Sequence, residues 1–262
     1  MQNLQSLFLH HKKNMKFNAD IQTGNCIRWI QTWFEKQSGN AQGAILGISG
    51  GKDSTVVAGL LCKALGKERV FGVLMPNGVQ KDISDSYQIC EFLGIKNRIV
   101  NIETAYQSIV GATEMELSTP ARINISPRIR MTILYALGQE MNYRVAGTGN
   151  LSERYIGYTT KWGDGACDFN PIGNFTTDEV IAMGFALGLP KNLIEKIPAD
   201  GLSGKSDEDN IGFSYNVLNR YIREGICEDT EIKEKIDRMH QISSHKQEPV
   251  PIYYYTNEYS TT

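Results

Sequence analysis

The stretch Gly47-Ile48-Ser49-Gly50-Gly51-Lys52-Asp53-Ser54-Thr55 lies between an apolar run at residues 44–48 and a second run, Val56-Val57-Ala58-Gly59-Leu60-Leu61. This order reads as strand, glycine turn and helix start, the place where a parallel α/β sheet binds phosphate. Adjacent glycines let the backbone approach an anion, the hydroxyls of Ser49, Ser54 and Thr55 are at hand, and the free amides of a helix N-terminus point outward. Asp53 would repel a phosphate unless a cation lay between them, so its presence points to Mg2+ and a metal-bound polyphosphate. The loop is not G-x-x-x-x-G-K-[ST], because Asp53 follows Lys52, and its glycine spacing also fails G-x-G-x-x-G.

Outward from this loop, apolar runs at residues 70–74, 99–102 and 145–146 join 44–48 as candidate parallel strands. Helical patterns at 54–65, 83–93, 105–110 and 127–141 separate them, and an amphipathic segment with Ile27, Ile30, Trp33 and Phe34 precedes them. Right-handed crossovers would gather the loops at 49–54, 76–82 and 148–153 on one rim of a doubly wound α/β sheet. Further helices are expected at 176–187 and at 213–224, the second stopped by Gly225, with a turn-rich connection at 198–209. Residues 157–174 contain four glycines and no sustained period, which suits either an active-site loop or an ordinary surface connection. Residues 240–262 show no helical period and are expected either to form a flexible tail or to fold over the domain.

A chain of 262 residues with 41% hydrophobic content can bury a large core, and the alternating pattern favours one α/β domain over residues 1–262. The net charge of -2 provides no basic footprint for nucleic acid or an anionic membrane. Five separated cysteines without C-x-x-C spacing suggest neither a disulfide framework nor a zinc site and fit a reducing cytoplasm. Leu4, Leu7, Phe8 and Leu9 precede the basic cluster at 10–13, the reverse of a signal peptide, and no apolar run reaches membrane-spanning length.

The loop resembles the SGGxDS signature of the N-type ATP pyrophosphatases, and dispersed segments extend the likeness to the ammonia-dependent NAD synthetase family over residues 21–251. They are Leu46 through Ser54; Pro76-Asn77-Gly78-Val79-Gln80; Asn124-Ile125-Ser126-Pro127-Arg128-Ile129-Arg130-Met131; and Gly147-Thr148-Gly149-Asn150-Leu151-Ser152-Glu153. Thr160-Lys161-Trp162-Gly163-Asp164-Gly165-Ala166-Cys167-Asp168, Ser206-Asp207-Glu208 with Gly212-Phe213-Ser214-Tyr215, and His245-Lys246 complete the set. The resemblance implies a Rossmann-like doubly wound sheet of the adenine nucleotide alpha hydrolase type.

It also implies roles. Gly47, Ile48, Ser49, Gly50, Gly51, Lys52, Asp53, Ser54 and Thr148 would bind ATP, and Asp53 and Glu153 would share Mg2+. Arg128, Lys161, Asp168, His245 and Lys246 would contact nicotinic acid adenine dinucleotide (deamido-NAD), with Lys161 and Asp168 also serving catalysis from the glycine-rich loop. Arg128 is preferred to Arg130, which would point elsewhere on a helix. ATP, deamido-NAD and ammonia are the expected partners, and a homodimer is implied, with Ile129, Ile133, Leu134 and Leu137 available to interface or core. Free ammonia is expected because the residues before the first strand are too few for a glutaminase domain.

The likeness has departures. Thr177 stands where many relatives carry a lysine, Ala199 where they carry Ser or Thr, and Leu74 where some carry arginine, so ATP contacts at these positions are not carried over. Alternatives are another ATP pyrophosphatase, such as a GMP-synthetase-like amidase or a tRNA-modifying enzyme, and a nucleotide-binding scaffold without turnover.

Overall fold

The computed structural model describes residues 17–196 and 206–255. Helix α1 (Ala19–Lys36) precedes strand β1 (Gly43–Gly47), the turn and helix α2 (Lys52–Leu65). Strand β2 (Val70–Leu74), helix α3 (Ile83–Leu93) and strand β3 (Lys96–Ile99) follow. Helices α4 (Glu103–Ala112), α5 (Thr119–Ile123) and α6 (Ile125–Met141) then lead to strand β4 (Tyr143–Val145). The four strands form a parallel sheet in the order β3-β2-β1-β4.

The central strand alternates between two cores, as a strand covered on both faces must. Ala44, Leu46 and Ile48 pack with Ile30 and Phe34 of α1 and with Val56 and Leu60 of α2, whereas Ile45 joins Val73, Val145 and α6 residues Ile129 and Leu134. Because β2 lies on one side of β1 and β4 on the other, the loops leaving β1 and β4 part company and open a crevice at the sheet's carboxyl edge. That crevice positions the site.

Beyond β4 come α7 (Leu151–Tyr155), a long irregular stretch, α8 (Thr177–Ala186) and α9 (Lys191–Ile194). Helices α10 (Asp207–Ile211), α11 (Tyr215–Glu224) and α12 (Thr230–Ser243) finish the order before a 3-10 turn at Ser244–Lys246. Ile156, Ile211, Phe213, Tyr215, Leu218 and Ile236 build a third, smaller core that joins α10, α11 and α12 to the end of α7.

Three expectations are corrected. The third strand occupies Lys96–Ile99 rather than residues 99–102, and all four of its residues are exposed, so this polar edge strand carries no apolar run to announce it. Residues 240–243, expected to belong to a tail without helical period, are the last turn of α12, and Ser244–Lys246 continue as 3-10 helix. The turn-rich connection at 198–209 ends in α10, where Ser206 accepts from the amide of Asp209, while Ala199 lies outside the described residues. Among the described residues no helix is long and apolar enough to cross a membrane.

Candidate active site

The glycine turn is built by close packing. Gly50 has φ +78°, and a Cβ there would lie 2.8 Å from Cβ of Asp85 and 2.9 Å from the amide of Ser86, so glycine lets α3 press against the loop. Ser49 and Ser54 hydroxyls lie 3.1 Å apart, the amide of Ser49 donates to Oγ of Ser54 at 3.3 Å, and Oγ of Ser49 accepts from the amide of Gly51 at 3.2 Å. The loop is thus held open by its own hydroxyls, and α2 starts without a side-chain cap, leaving its N-terminal amides for an anion.

Across the crevice, Asn150 caps α7. Its Oδ1 accepts from the amide of Glu153 at 3.0 Å, and its own amide donates to Oε2 of Glu153 at 3.2 Å. The other end of the same side chain donates from Nδ2 to Oδ1 of Asp53 at 3.1 Å. One fully buried asparagine therefore fixes both carboxylates expected to share a metal.

A cavity of about 250 Å³ lies between the two loops, lined by Ser49, Gly51, Asp53, Ser54, Thr148, Gly149, Glu153, Tyr158 and Asp164. Of the residues expected to bind nucleotide and metal it collects Ser49, Gly51, Asp53, Ser54, Thr148 and Glu153 from the ends of β1 and β4, whereas Gly47, Ile48, Gly50 and Lys52 do not line it, Ile48 and Lys52 being buried. Burial and the Asp53 carboxylate push the Glu153 carboxyl up to about 8, against the pull of Lys52. Among the described residues no group of three or more His, Cys, Asp or Glu side chains forms a metal cage. Two hard oxygen donors beside an open cavity suit Mg2+, which takes one or two carboxylates and completes its shell with water and phosphate.

The residues expected to hold the second substrate form a different group. Arg128 is exposed, and its Nε donates to the carbonyl of Lys161 at 3.3 Å. Nζ of Lys161 donates to the carbonyl of His245 at 2.5 Å, and Nζ of Lys246 donates to the carbonyls of Gly157 and Thr159 at 2.6 and 2.8 Å. The glycine-rich loop and the 3-10 turn are therefore laced together by the very cations assigned to substrate. Asp168 pairs instead with β4, its Oδ2 accepting from the amide of Val145 at 2.8 Å, and it does not line the cavity. Arg130 turns inward, its Nε donating to the carbonyl of Met75 at 3.0 Å, as its place on the helix implies.

Two residues given no separate role by the sequence stand out. Asn150 is one; the other is Asp164, which lines the cavity and accepts at 2.9 Å from the amide of Thr160. Crowding by protein holds the Asp164 carboxyl above its ordinary value, although Thr160 and Lys246 pull the other way. Between Lys161 and Asp164, Trp162 adopts φ +63° and leaves its indole 60% exposed, with Nζ of Lys161 5.5 Å from the ring centroid. Left-handed backbone at a bulky residue is strained, and here it marks the tip of the loop. Thr177, which replaces a lysine of many relatives, is buried at the start of α8, where its amide donates to Oγ of Ser152 at 3.0 Å. Leu74 is a core residue of β2.

A parallel sheet with a phosphate-type nest and a carboxylate pair at its switch point defines an α/β enzyme that works on nucleotide phosphates. The chain belongs to the NAD synthase family, whose sequence profile matches residues 25–262. It is 40% identical over 238 residues to the NH(3)-dependent NAD(+) synthetase of Carboxydothermus hydrogenoformans, covering 88% of this chain and 96% of that protein. Among solved structures it is similar to an NMN synthetase from Francisella tularensis, with TM-score 0.85, 31% identity and coverage of 92% of this chain and 100% of the other. It is also similar to an NH3-dependent NAD synthetase from Campylobacter jejuni, with TM-score 0.76, 28% identity and coverage of 91% and 100%.

Proposed function

We propose that this chain uses ATP and ammonia to convert deamido-NAD into NAD, AMP and pyrophosphate. The observation that carries this reading is the meeting of Ser49, Asp53 and Ser54 with Thr148 and Glu153 in one cavity. The hydroxyls and amides of the glycine turn hold the two outer phosphates of ATP, and the Thr148 hydroxyl supports the nucleotide from the other loop. Asp53 and Glu153 hold Mg2+, which when bound neutralises the phosphate charge. Arg128, Lys161, Asp168, His245 and Lys246 hold the dinucleotide acid, three of them, Arg128, Lys161 and Lys246, after exchanging backbone carbonyls for substrate oxygens.

The pyridine carboxylate oxygen attacks the α-phosphorus, and the bond from that phosphorus to pyrophosphate breaks. Ammonia then attacks the acyl carbon, the bond to AMP breaks, and one proton must leave the nitrogen. Asp164, which lines the cavity, is better placed to take that proton than Asp168, which pairs with β4 and does not line it. No protein nucleophile is needed; positioning and charge stabilisation supply the rate. Residues 1–262 act as one such domain, and a homodimer fits the half-buried Ile133 and Leu137, since Ile129 and Leu134 are already core.

The test is AMP and NAD formation from ATP and deamido-NAD with ammonium against glutamine. NAD formed with ammonium alone supports the reading, and equal or better use of glutamine by the purified chain overturns the ammonia assignment. A second reading is favoured by the higher TM-score, 0.85 against 0.76, to the NMN synthetase from Francisella tularensis. Nicotinic acid mononucleotide would then be the acid amidated. Comparing kcat/KM for mononucleotide and dinucleotide acids in the same assay separates the two.

A further inference from the structure

We infer that Arg130 is a further catalytic residue: on the reading that ATP adenylates a carboxylic acid in this crevice, its guanidinium donates to the α-phosphoryl oxygens as the bond to pyrophosphate breaks. Arg128 and Arg130 stand two residues apart on α6 and therefore leave the helix on different sides. Arg128 reaches the glycine-rich loop, and Arg130 reaches the sheet.

Helix α6 returns the chain to β4 of a parallel sheet, so it starts at the carboxyl edge, beside the glycine turn. Its Leu134 packs next to Gly47, where a Cβ would lie 3.8 Å from Cδ1 of Leu134 and 3.2 Å from Cε of Met75. Arg130 comes four residues before Leu134 on the same helix face, one turn or about 5.4 Å nearer that edge, which sets it beside the turn that follows Gly47. The bond from its Nε to the Met75 carbonyl at 3.0 Å holds it there.

That bond uses one donor of five. Arg130 is half-buried, yet among the described residues Nη1 and Nη2 have no hydrogen-bond partner. The cavity is lined by Asp53, Glu153 and Asp164 and by no cationic side chain, and the Asp164 carboxylate attracts this guanidinium through space. Charge on a phosphoryl group in transfer therefore meets no protein cation on the cavity lining itself. The unused fork of Arg130 supplies one from the edge. As the acid's oxygen bonds the α-phosphorus, the electron pair of the breaking bond leaves with pyrophosphate. Arg130 keeps its protons throughout and donates hydrogen bonds to the non-bridging α-phosphoryl oxygens.

The experiment is exchange of radiolabelled pyrophosphate into ATP by the full chain with Mg2+ and either deamido-NAD or nicotinic acid mononucleotide, without ammonia, so that adenylation alone is read. Arg130→Ala should lower kcat for exchange by at least about a hundredfold, the range for losing a preorganised donor, while the KM for ATP changes by less than about threefold. Arg130→Lys keeps a donor for the Met75 carbonyl but not the fork, so it should melt like wild type and still exchange slowly. Wild-type kcat in either variant would mean that the fork holds only water, and a loss carried by KM alone would make Arg130 a binding group; both overturn the assignment. Should Arg130→Ala fail to fold, Arg130→Lys decides by the same two measures. If wild type exchanges pyrophosphate with neither acid, the reading of the site fails before Arg130 is tested.

Discussion

At the residue scale, Asn150 joins local structure to chemistry. Its Oδ1 caps α7 while its Nδ2 holds Asp53, so a change there removes a helix cap and frees a carboxylate together. Asn150→Ala should cost about 1–2 kcal/mol of stability, the range for losing an N-cap, measurable by urea unfolding. It should also raise the Mg2+ concentration needed for half-maximal NAD formation, and a variant with unaltered metal dependence would show that Asp53 keeps its place unaided. The glycine turn and Asp53 were legible from the strand-turn-helix pattern around residue 50, whereas Glu153 was joined to them only through the family resemblance of the segment 147–153. Asn150 and Asp164 were visible as letters of motifs but not as roles, since what each side chain touches depends on segments distant in the chain.

At the scale of elements, Lys196 fastens the residues after α9 to the start of α3, its Nζ lying 2.5 Å from Oδ2 of Asp82 and 2.6 Å from Oδ2 of Asp85. The Lys196 hydrogen bond holds Asp82 below its ordinary value of 3.8. A lowered folded-state pKa means that this stabilisation is complete above the unfolded value and is lost as pH falls through the folded one. Because Asp82 is half exposed, Lys196→Ala should cost only about 0.5 kcal/mol at neutral pH. That difference should vanish in melts well below pH 3.8, and a difference unchanged in acid would refute the ion pair as its source. Most helices and the strands β1 and β2 were legible because their apolar runs reflect burial, whereas β4 was announced only by its last residue, Val145, and β3 has no buried residue to set a pattern. The unanticipated α12 did carry a signal: Asp229 caps it, and Ile232, Ile236 and Met239 recur four and three residues apart on the side facing the third core.

Across the whole molecule, two cores clamp the sheet and a third attaches the C-terminal helices, and the third alone depends on α12 for its closure. Ile236 is fully buried there, so Ile236→Ala should cost about 2–4 kcal/mol. Hydrogen exchange should quicken first along α11 and α12, with β1 and β2 still protected; uniform loss of protection would mean that the three cores unfold as one. The same attachment matters for function, because Gly157 packs so closely on Ser243 that a Cβ there would lie 2.0 Å from that of the serine. The C-terminal helix is thereby joined to the root of the glycine-rich loop, where Lys246 also anchors.

The exposed indole at the tip of that loop makes the protein its own optical reporter. Trp33 is stacked on Phe169 with ring centroids 4.5 Å apart and Trp29 lies on α1, so both report on the scaffold, while Trp162 reports on the loop. Saturation with the dinucleotide acid and ATP should shift its emission to shorter wavelength, and Trp162→Phe should abolish the response. Stopped-flow fluorescence would then time the arrival of substrate without any label.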